Sequence, residues 1–133
     1  MPKRVVNVPG LEPRTLPFSR IVEANGFVFL AGQVGDVPGT PGAVPGGIEA
    51  ETRQMLDNVG RLLRAVGLDY PDVVKATVYL RDFGEFAAMN AVYREYFPSE
   101  PPTRATVGVT ALAADYRVEI GRASCRERVC LVV

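Results

Sequence analysis

The sequence contains no histidine. Its absence removes the side chain most often used as a general base near neutral pH and the commonest nitrogen ligand for metals. Any chemistry must come from Asp, Glu, Lys, Arg, Tyr or Cys. Net charge is missing too, because 15 Lys and Arg balance 15 Asp and Glu. No basic excess is available to gather phosphates, so a nucleic-acid partner is not expected. No apolar run approaches the ~20 residues that span a membrane, and the opening MPKRVVNVPG lacks the apolar stretch of a signal peptide. These absences point to a soluble, cytoplasmic protein with no membrane partner. The two cysteines, Cys125 and Cys130, are too few for a disulfide framework or a zinc site and are expected to be free thiols.

What remains fits one domain of 133 residues, nearly half of them hydrophobic. Residues 4 to 8 read as a short edge strand closed by Pro9 and Gly10. Asn25-Gly26, flanked by β-branched and aromatic residues, predicts a hairpin with strands at about 18 to 24 and 27 to 33. GDVPGTPGAVPGG then alternates Gly and Pro too densely for a regular element. From Ile48 the apolar spacing becomes helical through Val66, with Gly67 as the stop and Glu49, Glu51, Arg53, Asp57, Arg61 and Arg64 on the polar side.

VVKATVYL, residues 73 to 80, predicts a central strand covered on both faces. Asp82 and Glu85 predict a capping box opening a second helix, which carries Phe86, Met89, Asn90, Tyr93 and Phe97 along one side and ends before Pro98. Strands follow at 104 to 109 and about 117 to 120. The order β, β, β, α, β, α, β, β gives an α+β fold whose two crossover helices lie on one face of a mixed sheet. Two helices leave the other face open, and a symmetric oligomer is the simplest cover for it.

Four blocks, PFSRIVEANGFVFLAGQVG, ETRQMLDNVGRLLRAVGL, DVVKATVYLRDFGEFAAMNAVYREYF and PPTRATVGVTALAADYRVEI, resemble consecutive blocks of the reactive-intermediate deaminase (Rid, or YjgF) family over most of residues 17 to 120. The resemblance implies a chorismate-mutase-like subunit, a homotrimer with clefts between subunits, and hydrolysis of 2-imino and 2-enamino acids. Pro102-Thr103-Arg104 matches the family's P-x-R motif, which gives Arg104 the substrate carboxylate, and Glu119 matches the glutamate that positions water. Those residue types suit the reaction: a guanidinium can grip the carboxylate in bidentate fashion while a carboxylate orients water toward the C=N carbon. No cofactor or metal is needed, because a protonated imine is already electrophilic.

Four further candidates follow, the first three with two readings each. Phe18 matches a position where many relatives have a pocket tyrosine, or it is simply core. Asn90 is a structural linker or a pocket residue. Gly32 lets a ligand approach the backbone, or it marks a bulge. Thr106 shares a strand face with Arg104 and stands where the family often has cysteine.

After Ile120 the family-like pattern stops, and IGRASCRERV resembles translated sequencing-adapter DNA. Residues 1 to 120 are therefore expected to be the domain and 121 to 133 an atypical, non-native tail. Beside the deaminase reading stand a non-catalytic relative that binds a small carboxylated metabolite and an RNA-cleaving or translation-inhibiting protein, the latter without support in the composition.

Overall fold

Asn25 and Gly26 both take positive φ, 53° and 77°, as the tight hairpin turn requires. They join β2 (Ile21–Ala24) to β3 (Phe27–Leu30), and β1 (Arg4–Val6) adds to the outer side of β2. This computed structural model describes residues 2–11, 16–121, 123–126 and 129–132, and side-chain surroundings as far as residue 121. The strand predicted from residue 18 begins at Ile21, and the one predicted over 27 to 33 is broken at Ala31-Gly32, which leaves β4 (Gln33–Val34) as a separate piece.

Helix α1 (Gly47–Ala65) turns its apolar stripe inward and fully buries Met55, Leu56, Val59, Leu62 and Leu63. Each such side chain contributes about 1.5–3 kcal/mol through burial. Gly67 follows with φ 78°, the left-handed stop that the sequence predicts. One helical position departs from the expected pattern: Glu51 is buried at 2% exposure, not solvated with the other charges. Gly35 explains how close the helix comes. A Cβ there would lie 2.6 Å from the Glu51 carbonyl oxygen and 2.8 Å from its Cα. Backbone cannot yield as a side-chain tip can, so Gly35→Ala should destabilise the fold by about 1–3 kcal/mol through overpacking, read as a lower urea midpoint. An unchanged midpoint would mean that α1 and β4 are less tightly apposed than described.

Strand β5 (Val73–Leu80) pairs in parallel with β6 (Thr103–Gly108) and antiparallel with β7 (Val118–Ile120). The 3-10 turn before it, Tyr70–Asp72, opens with a capping box, in which the Asp69 side chain accepts backbone amides of the turn and the Asp72 side chain accepts the Asp69 amide. The box predicted at Asp82 and Glu85 does not form. Asp82 accepts from the Gly84 amide and starts a short 3-10 turn, Glu85 turns its carboxylate to Arg117, and α2 begins only at Phe86, running to Tyr96.

Val28, Leu30, Ala76, Val78, Leu80, Val118 and Ile120 are buried in one cluster with α1 and with Met89 and Tyr93 of α2, so both helices back one face of the sheet. Across the other face run Val5, Val22 and Phe29, paired strand to strand, with Val107 and Tyr79 further along. Val5, Phe29 and Val107 are exposed. The expected α+β arrangement, with helices on one side of a mixed sheet, is therefore present.

Past Ile120, β8 (Ala123–Arg126) pairs with β3 in the same register that β7 keeps with β4, and β9 (Val129–Val132) folds back on β8 and onto the start of β5. The change of sequence after Ile120 does not end the backbone pairing. The expectation of free thiols at Cys125 and Cys130 concerns side chains outside those described.

Candidate active site

Edge strand β6 alternates Arg104 and Thr106 toward the helices with Ala105 and Val107 away from them. The Arg104 guanidinium lies over two rings of α2, its Cζ 4.6 Å from the centre of Tyr93 and 5.6 Å from that of Phe86. Phe86 in turn stacks on the exposed Phe83. Arg4, Arg53, Arg64 and Arg117 each meet a carboxylate. Arg104 has no carboxylate or hydrogen-bond partner among the described residues, so its donors are left for something else.

Asn90 stands four residues after Phe86 and three before Tyr93, the spacing that places it on their side of α2. Its amide makes no hydrogen bond among the described residues, which argues against the structural-linker reading. The buried hydroxyls of Thr106 and Tyr93 are likewise without partners. Burial pushes the Tyr93 hydroxyl up to about 12, with Arg104 opposing the shift, so it stays protonated and able to donate. Tyr93 was seen in the sequence only as part of a helix stripe; its pairing with Arg104 depends on how α2 lies over β6.

Glu119 sits in the middle of β7, paired with Val34 and Tyr79, and its alternation with buried Val118 and Ile120 turns it to the open face of the sheet. Burial raises its pKa above the ordinary carboxylate value. Gly32 makes its room, since a Cβ there would fall 2.8 Å from Glu119 Oε2. The glycine thus serves the carboxylate at the strand break. Gly32→Ala should displace the Glu119 carboxylate while leaving the melting temperature nearly unchanged, because the far end of a flexible side chain can move where backbone cannot; a melting temperature lowered by several degrees would mean that the carboxylate has no room to give.

Glu119, Gly32 and Phe18 line one cavity of about 740 Å³, together with Ser19, Arg20 and Tyr116. Phe18 is 60% exposed there and is not core. Arg104, Asn90 and Thr106 do not line this cavity. The structure therefore sorts the six candidates into two groups, Phe18, Gly32 and Glu119 in the cavity and Arg104, Asn90 and Thr106 beside α2. Sequence reasoning missed Asn58, whose side-chain amide bonds the Val34 and Asp36 carbonyls at 2.9 and 2.8 Å and anchors the loop at the cavity wall. An Asn on a helix in line with Met55 and Leu62 was the only signal.

These features define a helix-backed mixed sheet with a carboxylate in a cleft and, on an aromatic platform, an arginine without an acidic partner among the described residues. The chain belongs to the family described as Endoribonuclease L-PSP, the Rid or YjgF family, whose family model matches residues 11–124. It is 42% identical over 111 residues to a RutC family protein of Pyrococcus horikoshii, covering 84% of this chain and 88% of that one. It is 40% identical over 118 residues to a 2-iminobutanoate/2-iminopropanoate deaminase of Capra hircus, covering 89% and 86%. Among solved structures, E. coli TdcF with bound serine superposes with a TM-score of 0.82 at 30% identity, covering 92% of this chain and 98% of that one.

Proposed function

We propose that this chain is a hydrolytic deaminase of reactive 2-imino and 2-enamino acids of the 2-aminoacrylate type, releasing a 2-keto acid and ammonia. Arg104 carries the reading. A guanidinium laid on two rings with no acidic partner among the described residues keeps its donors in the fork that a substrate carboxylate matches. Relatives named for deaminating 2-imino acids, and one solved with the amino acid serine bound, agree with a small carboxylated substrate.

The enamine first tautomerises to the imine, and the imine nitrogen is protonated. Water then adds to the C=N carbon while Glu119 takes one of its protons, a task helped by the raised pKa. That proton passes to nitrogen, the C–N bond breaks with its electron pair leaving on ammonia, and the C=O bond of the keto acid forms as the hydroxyl gives its remaining proton to Glu119, from which the departing ammonia takes it. Thr106 and Asn90 supply hydrogen bonds on the Arg104 side, while Phe18 walls the Glu119 side.

Arg104 and Glu119 leave opposite faces of the sheet within one chain. A cleft that holds both is therefore completed by a second copy, and the assembly we propose is a homotrimer with three clefts, covering the exposed apolar face. The test generates 2-aminoacrylate in place from serine with a dehydratase and follows keto acid, with an RNA incubated in parallel. Faster keto-acid release with intact RNA is expected. RNA cleavage without imine turnover would overturn the reading in favour of the activity in the family's description, and substrate binding without turnover would leave a carboxylate-binding relative.

A further inference from the structure

Glu51 is a carboxylate with 2% exposure in the first turns of α1, and its burial raises its pKa despite the nearby Arg117 and Arg81. A buried charge is costly unless something holds it. Its Oε1 accepts the backbone amide of Arg117 at 2.9 Å, and its Oε2 lies 3.5 Å from Arg117 Nε. Arg117 is the residue immediately before β7 and two before Glu119. The same stretch of Glu51 backbone packs on Gly35, next to Val34, the residue that pairs with Glu119 from the other side. Strand β7 is three residues long and β4 only two, so their ladders contribute few hydrogen bonds of their own.

Resting on the deaminase reading above, we infer that Glu51 is a positioning residue for Glu119, gripping the strand that carries it through the Arg117 amide while its own backbone holds the facing strand. The grip extends further. Arg117 Nη1 bonds Glu85 Oε2 at 2.9 Å, and Glu85 immediately precedes Phe86, one of the two rings under Arg104. One buried carboxylate therefore anchors the chain that leads to both halves of the site. Nothing at Glu51 touches the cavity, so its influence is indirect.

The test compares the full chain with Glu51→Gln and Glu51→Ala. Glutamine keeps an acceptor for the Arg117 amide, while alanine leaves that amide and the guanidinium without it. We expect Glu51→Gln to keep kcat within about threefold, and folded Glu51→Ala to lose about tenfold or more in kcat with KM within about twofold, since ~1 Å of misplacement can cost on the order of 100-fold. In parallel, carbon NMR of the Glu119 carboxyl follows its titration, which should move toward the ordinary carboxylate range in Glu51→Ala and stay in place in Glu51→Gln. Equal kcat in folded Glu51→Ala and the parent chain, with an unmoved Glu119 titration, would overturn the inference. If the parent chain proves silent toward imines, the deaminase reading fails alone and the Glu119 titration still decides the role of Glu51.

Discussion

Replacing Arg104 by alanine should lower kcat/KM for a 2-imino acid by roughly 100-fold, a loss of about 3 kcal/mol, as expected when one partner of a charged, hydrogen-bonded pair is truncated. Most of the loss should appear in KM if Arg104 holds the carboxylate in ground state and transition state alike, as proposed. Arg104→Lys should recover little of it: a lysine offers a point charge without the planar fork, and it does not lie flat on the rings of Tyr93 and Phe86. The fold itself should suffer only the loss of the cation–π contacts, about 1 kcal/mol. Steady-state kinetics with a range of imine concentrations separates these cases. Full recovery by lysine would mean that Arg104 acts as charge alone.

Glu119→Gln should do the opposite, lowering kcat by about 100- to 10,000-fold with KM little changed, the usual range for removing a general base. The pH profile gives a second reading. Glu119 must be ionised to accept a proton, and burial raises its pKa. The acid limb of kcat/KM should therefore lie above the ordinary carboxylate range and vanish in the glutamine variant. Stability runs the other way. The folded state holds that proton to higher pH than the unfolded state does, so Glu119's contribution declines as pH rises between the unfolded and the folded value. Mixing Arg104→Ala with Glu119→Gln should restore part of the activity if one cleft draws its arginine and its glutamate from different copies, and no recovery would place both in one chain's site.

Much of this was legible in the sequence because it is local. The Asn25-Gly26 turn, the stripe of α1 and its Gly67 stop depend on neighbours within a few residues, and all three formed as read. Glu51 was misread because helical periodicity ranks it among the charges, and only the distant Arg117 amide, 66 residues away, draws it inward. Asp82 and Glu85 have the spacing of a capping box, yet Arg117 again takes the Glu85 carboxylate. The site shows the same limit. Motif matching picked out Arg104 and Glu119, but the Tyr93 platform and the opposed faces of β6 and β7 come from packing and register, which a single sequence does not carry.

The most direct test of the account measures kcat/KM for 2-iminopropanoate and for the imine of acetone, which lacks the carboxylate, in the parent chain and in Arg104→Ala. The account predicts that the parent chain prefers the carboxylated imine by about 100-fold and that Arg104→Ala loses this preference, because one charged contact carries it. The same preference in both proteins would contradict it.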